Sequence, residues 1–600
     1  SSNNSVLVSG TSSLWANGSQ LLVGNSGSSN SLVISNGGTV ANSRGTIGEG
    51  SGSSNNSVLV TGSNSLWTNS QGLNIGRFGS GNSLVISDGG TVTSATGSLG
   101  SLDTATGNSA LITGANSLWT NGGALQVGSQ GSGNSLVIAG GGTVANTDGN
   151  IGFASSAASN SVLVTGANSL WTNSSEIFVG VAGSGNALVI SNAGQVAASA
   201  GFIGTGPGSS NNSVVVTGTS STLTSSGRLD VGSGGSGNSM TIVEEGLVAA
   251  TDGYIGATSN SLNNTVLISG AGSRWTNSGE FIVGLRGTGN TLTLADGGAL
   301  AASNIIVASA AGSSGTLNIG RFGQSDTGGT IVAPTIAFGD GTGAINFNQR
   351  DAVTITAAIS GAGTINQLGG GATTLSASNT YTGATTVSAG RLVVDGSIAS
   401  SAVTVQSGGT LAGSGAVGST TIESGGTVSP GNSPGNLTVE GDLVWNGGGN
   451  YNWQVLGTTN TAGFAAGTTW DLLTVTGTLD LTALSAGSKF NINLWSLAST
   501  GPDIDGNIAD FDPTTGYEWL AVVASNITGF DASSFEVNYA ATNGTAGFSN
   551  PLDPGYTFGV RQEGGNLYVA YEVVPEPSTY ALLALGAVVV LVALRRRRLL

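Results

Sequence analysis

The chain has 600 residues, of which 103 are Gly, 38% are apolar and 8% are charged, with one Met, no Cys and no His. Gly at about twice its ordinary share without a Gly-X-Y period excludes collagen, and the apolar content excludes a disordered low-complexity chain, leaving an all-β chain of short strands and Gly/Ser/Asn turns. The missing residues rule out disulfides, thiolate nucleophiles, imidazole triads and the common zinc sites, and a net charge of -17 argues against a nucleic-acid partner.

The sequence opens at Ser1 and its one methionine is Met240. The expectation is a processed or truncated product whose export signal lies outside it. From there an internal repeat dominates. Trp15, Trp67, Trp119, Trp171 and Trp275 share a 52-residue spacing, with Leu223 in the vacant slot. Each unit splits again. Asn4, Asn30, Asn56, Asn82, Asn108 and Asn134 begin a column that continues every 26 residues to Asn290.

After each Asn comes an apolar run such as Ser5-Val6-Leu7-Val8, then a Gly turn. A second run reads Ser-Leu-Trp-Thr in odd halves and Gly-Thr-Val-Ala in even ones. A third ends at Gly, as in Leu73-Asn74-Ile75-Gly76 and Leu229-Asp230-Val231-Gly232, with an apolar pair inside and the variable middle residue outside. Three short strands and three turns per 26 residues predict one coil of a parallel β-helix. Twelve coils over residues 1–308 make a body of roughly 58 Å at about 4.8 Å per coil. A six-bladed propeller would explain 52 but leaves the equivalence of the 26-residue halves unaccounted for.

The Asn column has two readings. Stacked amides can hydrogen-bond along a ladder, or Asn-Ser is simply a favoured turn dipeptide. The Trp column has two as well. Large-small alternation with Ala41, Thr93, Ala145, Ala197 and Ala249 suits a packed interior. Alternatively, Trp beside Leu14, Leu66 and Leu118 points opposite to them, hence outward, as an aromatic strip able to stack on the sugar rings of an exopolysaccharide.

The period fades over 309–440, read as an irregular continuation. Within it Ser360-Gly361-Ala362-Gly363-Thr364-Ile365, Gly369-Gly370-Gly371-Ala372 and Asn379-Thr380-Tyr381-Thr382-Gly383 lead to Ala389-Gly390-Arg391-Leu392. This stretch, 360–392, resembles the autotransporter-associated β-strand repeat, which implies a passenger-type right-handed β-helix at a cell surface. A translocating barrel is not expected, because its strands need well over about 200 residues and about 130 separate Leu443 from residue 574. Residues 441–573 carry five of the ten Trp and read as a β-rich closing or cap region, since open solenoid ends expose strand edges.

Carboxylates in the first 300 residues recur in no column, so no catalytic residue is assigned and the chain reads as a non-enzyme. One acidic group stands apart: Asp503, Asp505, Asn507, Asp510 and Asp512. Oxygen ligands at alternate positions suit Ca²⁺, although the spacing departs from the EF-hand loop; a solvated acidic turn is the other reading. No other cofactor is implied.

The tail, 574–600, has three parts: Pro575-Glu576-Pro577, an uncharged stretch at 580–594, and Arg595-Arg596-Arg597-Arg598. The apolar stretch predicts a short transmembrane helix with the Arg run on the cytoplasmic side. Together the parts closely resemble the PEP-CTERM sorting signal of Gram-negative bacteria. That resemblance implies export, transient anchoring in the inner membrane, processing by an exosortase-type partner, and arrival at the cell surface or extracellular matrix. A structural or adhesive role is expected, with multivalent contact along a repetitive flank.

Overall fold

The computed structural model describes residues 1–431, 434–459, 465–498 and 504–574. It divides into two compact units, Ser1–Ala384 and Thr385–Leu600. Both are built almost wholly of strands, and the architecture is a right-handed parallel β-helix.

In the first unit most coils contribute three strands, the second and third running together in the third and fourth coils as Leu66–Ile75 and Thr91–Leu99. The first coil supplies Ser5–Ser9, Leu14–Asn17 and Leu21–Val23; the second supplies Ser31–Ser35, Thr39–Asn42 and Gly45–Ile47. Each lies parallel on its equivalent, as in Ser5↔Ser31, Leu14↔Thr39 and Leu21↔Gly45. Such strands satisfy one another's backbone groups along the solenoid axis. The alternating side chains then send one set inward. Val58, Val60, Leu84, Ile86, Ile112 and their successors are fully buried, each worth about 1.5–3 kcal/mol.

Coil length stays at 26 residues while its parts do not. The second strands pair at offsets that alternate: Trp15 sits on Val40, and Val40 on Trp67. Odd coils turn through four residues, Gly10 to Ser13, where even coils use three, Asn36 to Gly38; a later loop restores the sum. The Trp column therefore alternates with Val40, Val92, Val144, Val196 and Val248, and not with Ala41, Thr93, Ala145, Ala197 and Ala249. Equal turns would put the partner one residue later than the unequal turns of the structure do.

Past Asn290–Ala295 the first sheet continues through Ser314–Ile319, Thr342–Phe347 and Thr364–Gln367. Coils shorten here, with Ile345 on Ile365.

The second unit stacks Val403–Val405, Ala416–Ile422, Asn436–Trp445, Leu472–Asp480 and Tyr517–Thr528 in parallel. A second parallel sheet runs from Gly390–Val394 to Phe535–Asn538. The pairing turns antiparallel only at the end, where Asn566–Val573 joins Tyr517–Thr528 and Tyr556–Glu563. The core there is aromatic. Trp445 stacks on Phe490 at 4.1 Å, and Trp453 and Trp519 donate their indole N–H to the carbonyls of Asp471 and Gly457.

Candidate functional site

Three features of the twelve coils bear on function: two internal polar columns and one outward face. The first column is the 26-residue Asn series. The backbone N–H of each Asn donates to Oδ1 of the next, and its Nδ2 donates to the same atom, as in Asn82 to Asn108 at 2.9 and 3.1 Å. The same pair of bonds links Asn4 to Asn30, Asn30 to Asn56, Asn56 to Asn82 and Asn108 to Asn134. From Asn56 onward these residues are fully buried. Polar groups out of water cost little only when paired, and here each satisfies its neighbour. The Gly that ends each third strand makes room for the column. Gly128 has φ +77°, and a methyl group on it would collide with the Asn160 amide.

The second column was not apparent in the sequence. Trp67, Trp119, Trp171 and Trp275 are fully buried, and Trp15 on the first coil is half-buried. Their neighbours Leu66 and Leu118 face the outside instead, half-buried. The outward aromatic strip is thereby overturned. The reason is the residue two positions on, which shares the side of the Trp. Trp67 Nε1 donates to Asn42 Oδ1 at 2.8 Å, and Trp171 Nε1 to Asn146 Oδ1 at 2.8 Å. Trp119 uses Ser94 Oγ at 3.3 Å. The acceptors Asn42 and Asn146 are themselves paired, with Asn69 and Asn173. Three of the rings lie over a glycine of the preceding coil, Trp67 against Gly45, Trp119 against Gly97 and Trp171 against Gly149, where a Cβ would sit 2.7, 2.9 and 2.5 Å from the ring. Where Leu223 replaces Trp, the preceding coil carries Ala198 in place of the polar acceptor. Ala250 stands in that place before Trp275, and this indole turns to Asn277 Oδ1 of its own strand at 2.8 Å.

Outside, the first sheet presents a strip of three columns. Most strands show a Ser or Thr on either side of a central residue that is usually aliphatic, with Ala139, Ala187 and Val243 among the exceptions in the flanking columns. The aliphatic column carries Leu7, Leu59, Leu111, Leu163 and Leu267 on odd coils. The ninth coil carries Val215 there, and even coils carry Val33, Val85, Val137, Val189, Thr241 and Thr293. None of the twelve strands contains a charged residue.

Among the carboxylates of the coils, Asp230 differs from the rest. The alternation along its strand predicts an outward side chain, yet it is fully buried. Phe202 and Tyr254 flank it in the ladder, and Arg228 lies over the Phe202 ring at 4.9 Å. Oδ2 accepts from Ser233 at 3.2 Å, while Oδ1 finds no partner among the described residues. Burial pushes this carboxyl up to about 6, against the opposing pull of Arg228 and Ser233.

In the acidic group near residue 505 the described carboxylates have separate partners. Asp505 accepts from the Trp495 indole, Asp510 from Thr458, and Asp512 from the N–H and hydroxyl of Thr514. Among the described residues no cluster of three carboxylates is placed to hold a metal ion. Asn507 lies in the same loop, and Asp503 is outside the described residues. So are Pro575, Glu576, Pro577, the stretch 580–594 and Arg595, Arg596, Arg597 and Arg598. No helix among the described residues is long and apolar enough to cross a membrane.

Two families match the chain. The passenger-associated-transport-repeat covers residues 365–394, and the PEP-CTERM protein-sorting motif covers 573–598. A curated relative is the adhesin BmaC autotransporter of Brucella suis biovar 1 (strain 1330), 50% identical over 93 residues. That match takes in 15% of this chain and 3% of the adhesin, so the chain covers a small fraction of its relative's length.

Proposed function

We propose that this chain is an exported β-helical protein of a Gram-negative bacterium, serving at the cell surface or in its matrix as a structural or adhesive element. The observation that carries the reading is the sorting motif at 573–598, set directly after the antiparallel strands that close the second unit. On this reading an exosortase-type enzyme processes the tail while the apolar stretch and the Arg run hold it briefly in the inner membrane. The passenger repeat and the likeness to an autotransporter adhesin support surface location and an adhesive part.

The reading is non-catalytic. The first sheet presents hydroxyl and aliphatic columns, and repetition of a weak contact from coil to coil suits adhesion by multivalency. The test is surface material from the native host. Mass spectrometry of the exported form is expected to find a C-terminus upstream of Arg595, and protease treatment of intact cells is expected to remove the β-helix. An exported form with Arg595 intact overturns the sorting route, and protein protected inside intact cells overturns the surface location.

A further inference from the structure

We propose that the uncharged outer face of the first sheet, from Ser5–Ser9 to Asn290–Ala295, is the docking surface for a second copy of this chain, packed face to face with its solenoid axis reversed. The contact depends on the twelve coils alone and not on where the protein is located.

The face is large enough. A strand of five residues is about 16 Å wide and twelve rungs about 58 Å long, so two such faces bury about 1,800 Å² together, at or above the ~1,600 Å² of a stable interface. Its charge also permits the contact. On a chain of net charge -17 two copies repel wherever acids meet, and this face has none. Register along it is unbroken, with Ser57 on Ser83 and Ser109 on Ser135.

Shape selects the orientation. A two-fold axis parallel to the strands brings the first coil of one copy onto the twelfth of the other, the second onto the eleventh, and so on inward. Odd coils then always meet even coils. Leu111 faces Val189 of the partner, Val33 faces Leu267 and Leu59 faces Thr241, so a large residue meets a small one at every level except that of Val85 with Val215. The same parity governs the rim where the strands end. Its acids, Asp88, Glu244, Glu245 and Asp296, all come after strands of even coils, while the odd coils place Gly10, Ser63 and Thr219 opposite them. Carboxylate never meets carboxylate. Such an isologous contact closes on itself and makes a dimer without propagating.

Sedimentation of the full chain in mild detergent tests this. The parent is expected to show a concentration-dependent dimer. Leu111→Glu buries two unpaired carboxylates per interface and is expected to weaken the dimer by about thirtyfold or more; Val189→Lys does the same. The double variant L111E/V189K pairs both charges across the two-fold axis and is expected to recover to within about threefold of the parent. Both side chains face outward, so far-UV circular dichroism stays that of the parent in every variant. A parent that is monomeric throughout the range overturns the proposal, as does a dimer indifferent to Leu111→Glu. A double variant no better than either single one overturns the register. A monomeric parent that holds an exopolysaccharide fraction, and releases it on Leu111→Glu, assigns the face to glycan instead.

Discussion

Replacing Asn108 by Ala removes one rung of the inner ladder and its cost can be worked from the bonds. Asn108 Oδ1 accepts from Asn82 N–H at 2.9 Å and from Asn82 Nδ2 at 3.1 Å, and its own Nδ2 donates to Asn134 Oδ1 at 3.0 Å. Two of the partners retain a second bond: Asn82 Nδ2 reaches the Ser80 carbonyl at 3.3 Å, and Asn134 Oδ1 keeps the Asn108 N–H. The Asn82 N–H keeps nothing. An orphaned buried donor costs about 1–3 kcal/mol and each of the other two lost bonds about 0.5–1.5, so the expected loss is about 2–6 kcal/mol. Asn4, at the exposed end of the ladder, is the control; Asn4→Ala should cost less than about 1 kcal/mol. Because solenoids open locally, amide exchange at Asn82 is the direct readout, with denaturant unfolding monitored by Trp fluorescence beside it. If Asn108→Ala lies within about 0.5 kcal/mol of Asn4→Ala and the Asn82 amide stays as protected as in the parent, the ladder does not carry the stability assigned to it here.

Three further outcomes come from the same geometry. Trp67→Phe keeps most of the packing but leaves Asn42 Oδ1 without its donor, so unfolding experiments should register a loss of about 1–3 kcal/mol, against about 3–5 for Trp67→Ala. Gly128→Ala combines a left-handed backbone at φ +77° with collision against Asn160, and thermal melting should report a loss of about 2–5 kcal/mol. Asp230 has a folded-state pKa of about 6 against an ordinary 3.8. Its contribution to stability is therefore complete below pH ~4 and fades as the pH rises through 6, reaching a cost of about 3 kcal/mol at neutral pH. Asp230→Asn should flatten that part of the stability-pH curve; an unchanged slope between pH 4 and about 7 would mean the carboxyl is solvated after all.

The solenoid was legible because Asn4, Asn30 and their successors keep one spacing and lie directly on one another. The Trp columns were harder. Leu66 is a natural reference for the interior, yet the side on which Trp67 falls is decided by Asn69, which shares it, and by the glycine beneath its ring. The second polar column is hidden because its steps alternate, 25 residues from Asn42 to Trp67 and 27 from Asn42 to Asn69, so a search at fixed period blurs it. One partial signal was present: Asn42, Ser94 and Asn146 precede Trp67, Trp119 and Trp171, whereas Ala198 precedes Leu223. The burial of Asp230 could not be read locally, since the residues that cover it, Phe202 and Tyr254, come from adjacent coils. The C-terminal motif was legible without any fold, because its three parts are marked by composition and order alone.

The glycine under the Trp67, Trp119 and Trp171 indoles also sets a rule for how such a chain can change in length. Duplicating or deleting 52 residues keeps these rings above a glycine and every long turn ahead of a short one. Adding 26 brings two coils of the same kind together, so that a ring descends onto a leucine such as Leu73 or a glycine is left facing empty space. Variants of this protein should therefore differ in steps of two windings, and never by one.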